Sequence, residues 1–311
     1  VTSRLMLLDS ASLYFRAYYG VPESVTAPDG TAVNAVRGFL DIIAKLVGTY
    51  RPTHLVACWD DDWRPQWRVD LIPTYKTHRV VEVVAGGPDV EEVPDPLEAQ
   101  VPLILEALAL LGIPVAGAAE HEADDVIGTL ATDAGLPVDI VTGDRDLFQL
   151  VDDDAEVRVV YTARGMSNLE VVTDETIRGR YGVHAAQYVD FAVLRGDASD
   201  GLPGVAGIGE KTAAALLAAH GDLSGIAAAA DRGEGMTAGV RAKVLAGADY
   251  LAVAPAVVRV VRDLPLEIPD PRLAPILADA AADAAAFAAR WGLGAAFERA
   301  AAAIAAISDT P

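Results

Sequence analysis

A single cysteine, Cys58, in 311 residues rules out an intramolecular disulfide and a cysteine-based zinc site. With Ala57 and Trp59 as neighbours, it reads as a buried core thiol. Basic residues are also scarce, 24 against 45 acids for a formal charge of -21, which is the reverse of a generic nucleic-acid binder. Such a surface favours solubility and weakens non-specific adhesion to polyanions. No apolar run approaches the roughly 20 residues that span a bilayer, and no charged-then-apolar leader opens the chain. A cytoplasmic protein without a membrane partner is therefore expected. No Ser/His/Asp arrangement stands out, and the lone His121 reads as a structural neighbour of an acidic cluster.

The acids themselves are clustered. Glu122-Ala123-Asp124-Asp125, Asp144-Arg145-Asp146 and Asp197-Ala198-Ser199-Asp200 form three groups, and Asp9 and Asp60 each follow an apolar run. Carboxylates gathered from distant stretches repel one another in a low-dielectric site, so a fold that assembles them needs hard cations. Oxygen-only donors suit Mg²⁺ or Mn²⁺ and argue against zinc. Two such ions about 4 Å apart activate water, hold a scissile phosphate and stabilise the leaving oxygen. The bland alternative, acids that merely cap helices, has force for Asp146 before Leu147-Phe148-Gln149-Leu150. A solvated charged face would intersperse lysines among these acids, and none is present. If Asp125 and Asp146 are ligands, Asn at either position should abolish turnover with little effect on folding.

Short apolar or mixed runs at 5–8, 54–59, 113–116 and 138–142 have strand lengths. Helical patterns over Val33–Val47, Leu97–Leu111 and Asp124–Ala134 separate them. The alternation predicts an α/β fold, a mostly parallel sheet with helices on both faces. Ligands bind beyond the carboxyl ends of such strands, so Asp9, Asp60 and Asp144 should converge on one edge. From about 181 onward the pattern is helical and alanine-rich: Ala185–Arg195, Lys211–Ala219, Val240–Leu251, Ala278–Trp291 and Ala295–Ile307. A core over 1–180 and a helical subdomain over 181–311 are expected, with a frayed tail after Ile307.

Two further stretches carry chemistry. Three of the four tryptophans lie in 59–79, interleaved with Arg64, Arg68, Lys76 and Arg79. Cations beside aromatic faces suit a single-stranded or frayed end, so Arg68, Tyr75, Lys76 and Arg79 are read as contacting nucleic acid, and Trp59 and Trp63 as core. Gly204-Val-Ala-Gly207-Ile-Gly209-Glu-Lys211-Thr212 resembles a helix-hairpin-helix near 195–220, whose backbone amides and Lys211 suit a phosphate chain.

These residues together resemble a known family. Leu7-Leu-Asp9-Ser10 with Tyr14-Phe-Arg16-Ala-Tyr18, Tyr75-Lys-Thr-His-Arg79, Glu122-Ala-Asp-Asp-Val-Ile-Gly128, Thr142-Gly-Asp-Arg-Asp-Leu-Phe-Gln149, Gly196-Asp-Ala-Ser-Asp200 and Gly204 to Ala213 are similar to the 5′-nuclease (flap endonuclease) family. The closest likeness is the 5′-to-3′ exonuclease domain of bacterial DNA polymerase I, here expected as a free-standing protein. The resemblance implies a PIN-like core with a helical arch near 63–100, and a helix-three-turn-helix on the duplex, often with K⁺. It implies hydrolysis near a 5′ end, or at the base of a 5′ flap, leaving a 5′-phosphate and a 3′-hydroxyl in primer removal or repair. Asp9, Asp60, Glu122, Asp124, Asp125, Asp144, Asp146, Asp197 and Asp200 map onto its metal site for two or three ions. Arg68, Lys76 and Arg79 map onto the arch residues at the scissile phosphate. Arg16, Tyr75, Gly204, Gly207, Gly209 and Lys211 are the implied DNA contacts. The implied partner is DNA with 5′ flaps, nicks or 5′ ends, RNA primers on DNA included, and the protein is expected as a monomer. Ser10 stands where glycine is usual, Gly201 where asparagine often follows Ser-Asp, and 80–98 is longer and less helical than an arch. A binding module that has lost catalysis and a PIN-type ribonuclease are the alternatives.

Overall fold

The computed structural model describes residues 3–84 and 87–308; Gly86 and the expected tail after Ser308 lie outside the described residues. Its centre is a six-stranded sheet in the order β5-β2-β1-β6-β7-β8. The strands are β1 (Leu5–Asp9), β2 (His54–Cys58), β5 (Val115–Ala116), β6 (Val138–Thr142), β7 (Val157–Tyr161) and β8 (Glu170–Val172). All pair in parallel except β8, which runs antiparallel to β7 at the edge. β1 and β6 are buried along their whole length; β1 opens with four apolar residues, and β6 interrupts its run with Asp139, which Arg4 and Arg158 pair. The two further strands β7 and β8 were not among the expected ones.

The first core carries helices α1 (Ser10–Gly20), α2 (Asn34–Tyr50), α3 (Gln66–Leu71), α4 (Asp95–Glu98), α5 (Val101–Leu110), α6 (Ala123–Ala131) and α7 (Asp174–Tyr181). The later part comprises α8 (Tyr188–Arg195), α9 (Glu210–His220), α10 (Leu223–Arg232), α11 (Ala238–Ala246), α12 (Ala248–Val258), α13 (Ala281–Arg290) and α14 (Gly294–Ser308). Chain order runs from β1 to β2 and β5 on one side, then crosses to β6 on the other. The switch point thus lies between β1 and β6, where a crevice opens beyond the strand ends.

Two expectations are corrected. The segment 63–100 is no helical arch: it contains the six-residue α3, a 3₁₀ turn over Thr77–Arg79, a two-stranded hairpin of β3 (Val80–Glu82) and β4 (Val90–Glu91), and the one-turn α4. Prolines at 65, 73, 88, 94 and 96 keep a continuous helix from forming there. Nor does the helical subdomain run to the C-terminus. Phe287, Phe297 and Ile304 of α13 and α14 share one buried cluster with Leu13, Phe39 and Leu46, so the last two helices cover the first core. An extended strap, 259–273, carries the chain back: Val261 reaches α6, and Leu273 donates to the Thr53 carbonyl beside β2.

Candidate active site

Asp9 ends β1 and caps α1, accepting from the Ser12 amide at 3.1 Å and, across the β1–β6 pair, from the Thr142 hydroxyl at 2.6 Å. Asp60, two residues past β2, accepts from the Ala123 amide at 2.8 Å at the start of α6. In the turn after β6, Asp144 accepts from the Asp146 amide at 2.8 Å. Asp9, Asp60, Glu122, Asp124 and Asp144 line one cavity of about 250 Å³, and Lys76, Arg79 and Glu91 line it with them. Asp124 also faces a small adjoining space together with Asp146, Asp200 and Glu122. The strand ends, the α6 start, the β6 turn and the loop before the hairpin thus meet at the switch point.

The electrostatics divide these acids. Burial pushes Asp9 up to about 7, with Asp60 and Asp144 adding to the shift and Thr142 opposing it. Asp124 and Asp146 are raised well above the carboxylate range, first by burial and then by Asp144. Asp60 is raised by burial against the Ala123 amide bond, and Asp200 is raised to about 6 by burial, partly offset by Lys76. For Glu122 burial also acts upward, but Lys76 and Arg68 outweigh it and its carboxyl is held low. Asp197 follows the same course, with burial outweighed by Ser199 and then by Arg195 and Arg145.

No three His, Cys, Asp or Glu side chains among the described residues form a ready-made metal cage, as expected of like charges without a cation between them. The donor chemistry nonetheless fits hard divalent ions. Asp146 Oδ1 is buried without a hydrogen-bond partner, and the acids around it are oxygen donors only. Asp9, Asp60, Asp124, Asp144, Asp146 and Asp200 are the residues that could hold such ions.

Other expected site residues sit differently. Asp125 is fully buried and points away from the cavity. Arg68 grips it with two bonds of 2.7 and 2.9 Å and reaches Glu122 at 2.9 Å. Arg68 is 2% exposed, and its Nε donates to the Val257 carbonyl, so it serves protein carboxylates and not a phosphate. Tyr75 is corrected likewise: it is 4% exposed, its hydroxyl donates to Glu122 at 2.6 Å, and its ring is unavailable for stacking on a base. Lys76 pairs with Glu122 in the cavity lining. Arg79 is half-exposed there, donating to the Ser199 carbonyl at 2.9 Å. Asp197 is tied to Arg195 at 3.1 Å and to Ser199. Arg16 lies outside the acidic cavity, in a neighbouring groove of about 770 Å³ with Phe15, Tyr19, Lys45 and Met166. Phe15, which lies in the Tyr14–Tyr18 motif without a role of its own, and Glu91, which no motif flagged, also line the acidic cavity.

The loop from Asp197 to Gly209 is built by close backbone approach. Gly201 has φ +69°, and a Cβ there would meet the Thr74 carbonyl oxygen at 2.0 Å, so the departure from asparagine is required by the packing of this loop on Thr74–Lys76. Gly204, at φ +67°, lies against the Gly196 amide. The hairpin joins α8 to α9, with Gly209 at the N-cap and Lys211 exposed in the first turn. The Gly207 carbonyl accepts from Lys243 Nζ at 2.9 Å.

Comparison with known proteins agrees with this geometry. Residues 4–182 match the 5'-3' exonuclease N-terminal, resolvase-like domain, and residues 183–279 match the 5'-3' exonuclease C-terminal SAM fold. A 5'-3' exonuclease of Streptomyces coelicolor is 58% identical over 296 residues, covering 94% of this chain and 98% of that protein. A DNA polymerase I of Mycobacterium bovis is 44% identical over 223 residues, 70% of this chain but 23% of the polymerase. Among solved structures, T5 5'-exonuclease with divalent zinc ions bound superposes with a TM-score of 0.65 at 17% identity, over 98% of this chain and 100% of that one.

Proposed function

Because the chain belongs to the 5'-3' exonuclease family, matched by both of its domains, and is a 5'-3' exonuclease, we propose that it cuts both nicked duplexes and 5′ flaps in a Mg²⁺- or Mn²⁺-dependent reaction leaving a 5′-phosphate and a 3′-hydroxyl. The observation that carries this reading is the set of acids Asp9, Asp60, Asp124 and Asp144 around one cavity, with the cations Lys76 and Arg79 in its lining. Two or three divalent ions held by these acids with Asp146 and Asp200 would supply the activated water and offset the charge on the phosphodiester. Arg79 is placed to meet the scissile phosphate as it enters. Lys76 holds Glu122 in place, and its ammonium lines the same wall. Asp9 is fixed by Thr142 and Ser12, so its remaining lone pairs stay aimed into the cavity.

The hairpin over Gly204–Gly209 and the α9 N-terminus with Lys211 would grip the downstream duplex. The Asp200-to-Gly204 spacing would then set the distance from the gripped phosphates to the cut. A K⁺ ion at the hairpin would draw on backbone carbonyl oxygens there, of which that of Gly207 already accepts from Lys243. We further propose a monomer working in the cytoplasm on primers and repair intermediates, RNA-primed strands included. Purified protein with Mn²⁺ or Mg²⁺ should shorten a 5′-labelled nicked duplex and release a 5′-flapped strand, and chelator should stop both. If both substrates stay intact, the reading fails; preference for a matched RNA flap would favour the ribonuclease alternative, and tight DNA binding without turnover the binding module.

A further inference from the structure

The strap that follows α12 is held by two buried side chains, and each is a close chain neighbour of an acid in the cleft. Gln149, 5% exposed, lies three residues after Asp146. Its amide nitrogen donates to the Asp146 carbonyl at 2.9 Å and to the Val258 carbonyl at 3.0 Å, and its amide oxygen accepts from the Val260 amide at 3.0 Å. The Gln149 backbone carbonyl accepts from Arg262 at 2.9 Å. Asp125, next to Asp124, accepts from the following strap amide, Val261, at 2.8 Å. Successive amides of an extended chain point to opposite sides, so the strap is wedged between the Asp146 turn and α6. The approach to α6 is tight: a Cβ on Gly128 would lie 2.6 Å from the Val261 carbonyl oxygen.

We propose that Gln149 is a positioning residue for the hydrolytic reaction. Acting through the strap, it fixes the Asp146 turn against the Asp124 helix and so sets the spacing of the two acids across the small space they share with Asp200. This role rests on the metal-dependent reading of the cleft. A buried primary amide with both hydrogens and its oxygen engaged has no freedom to shift without leaving a polar group unpaired. Because the strap leaves α12 directly, the same bonds fix the acids relative to the subdomain that carries the hairpin.

Gln149→Met removes all three side-chain bonds with little change in volume. The variant and the wild type are compared by electron paramagnetic resonance titration of free Mn²⁺, by kcat and KM on a nicked duplex, and by denaturation in chelator. The expected result is a Mn²⁺ midpoint raised about tenfold or more and kcat lowered roughly 10- to 100-fold. The KM for DNA should change by less than about twofold, and added Mn²⁺ should restore part of the rate. A wild-type Mn²⁺ midpoint and kcat in the folded variant, with only the denaturation midpoint lowered, would overturn the proposal, as would a change confined to KM. If Gln149→Met does not fold, Arg262→Gln decides: it frees only the Gln149 carbonyl and should shift the Mn²⁺ midpoint in the same direction by about two- to fivefold, and an unchanged midpoint overturns the proposal. The Mn²⁺ titration needs no turnover. Failure of the nuclease reading itself would instead show as wild-type protein that leaves both DNA substrates intact.

Discussion

The acids of the cleft fall into two groups that the sequence presents alike. On the strand-end side, Asp9 and Asp146 are buried and Asp60 and Asp124 half-buried, none with a cation bonded to it, and loss of solvent raises all four. On the α3 side, Glu122 and Asp125 receive Arg68, and Lys76 and the Tyr75 hydroxyl also bond Glu122. Glu122 and Asp125 thus have their counter-charge from the protein, the strand-end acids are left to the proposed metal ions, and Asp200, which Arg79 reaches at 3.4 Å, stands between the two groups. Position in the motif Glu-Ala-Asp-Asp does not separate these cases, because one helical step decides whether a carboxylate faces the cavity or the interior.

The largest expected effect breaks the first group. Asp124→Asn should lower turnover on nicked or flapped DNA by on the order of 10³-fold, or roughly 4 kcal/mol of transition-state stabilisation. In chelator the same variant should denature no earlier than wild type, since it relieves repulsion among Asp9, Asp124 and Asp144. A matched loss of activity and metal-free stability would place Asp124 with the scaffold acids.

The second group should behave in the opposite way. Arg68→Ala strands Asp125 and Glu122 in the interior and should destabilise the fold by about 3–5 kcal/mol, read by urea denaturation in chelator. Asp125→Asn should also destabilise, contrary to the expectation drawn from the motif alone, because it leaves the Arg68 guanidinium buried and half-paired. An Asp125→Asn protein with wild-type denaturation and no turnover would restore Asp125 to the metal-holding group.

What was legible in the sequence follows the same division. The strands β1, β2, β5 and β6 and the acids at their ends could be read because apolar runs and chain order fix a parallel sheet, and such a sheet fixes where ligands gather. Partner choice could not be read. Arg68 is a cation next to a tryptophan in either role, and only the fold puts Asp125 within 2.7 Å of it. Val240–Leu251 read as one helix, but Gly247 divides that stretch between α11 and α12. The alanine-rich α13 and α14 advertised helix propensity and nothing about which core they would cover. Gln149 closes the Thr142–Gln149 motif but showed no role of its own, because a glutamine in a 3₁₀ turn acquires one only when the strap, more than a hundred residues later, arrives beside it.

Metal and pH sharpen the contrast further. Burial pushes Asp9 up to about 7 and Asp200 up to about 6, above the ordinary carboxylate range. Metal-free folded protein therefore holds protons that the unfolded chain has lost. That contribution to stability is full below about pH 4 and fades as pH rises through the folded values. Mn²⁺ competes with those protons, so at one fixed Mn²⁺ concentration the gain in Tm should be larger at about pH 8 than at about pH 5.5; the underlying gain in unfolding free energy is about 2.7 kcal/mol where Mn²⁺ stands at 100 times Kd. An equal gain at both pH values would mean that the raised acids are not the ones that take the ion.

The smallest expected effect lies outside the acidic cleft, at the hairpin. Lys211 is exposed on the first turn of α9 in a protein whose surface is otherwise strongly acidic, so one lost cation weighs against few others. Lys211→Ala should weaken duplex binding about equally for all sequences and reduce the slope of log affinity against log salt by about 1. It should leave kcat at saturating DNA near wild type, because the lysine acts on the gripped duplex and not on the phosphate being cut. Lys243 provides the control, since its ammonium is engaged with the Gly207 carbonyl. Lys243→Met should alter the salt slope less than Lys211→Ala if that bond persists on DNA. An equal change in slope would mean that Lys243 leaves Gly207 for a phosphate when the duplex docks.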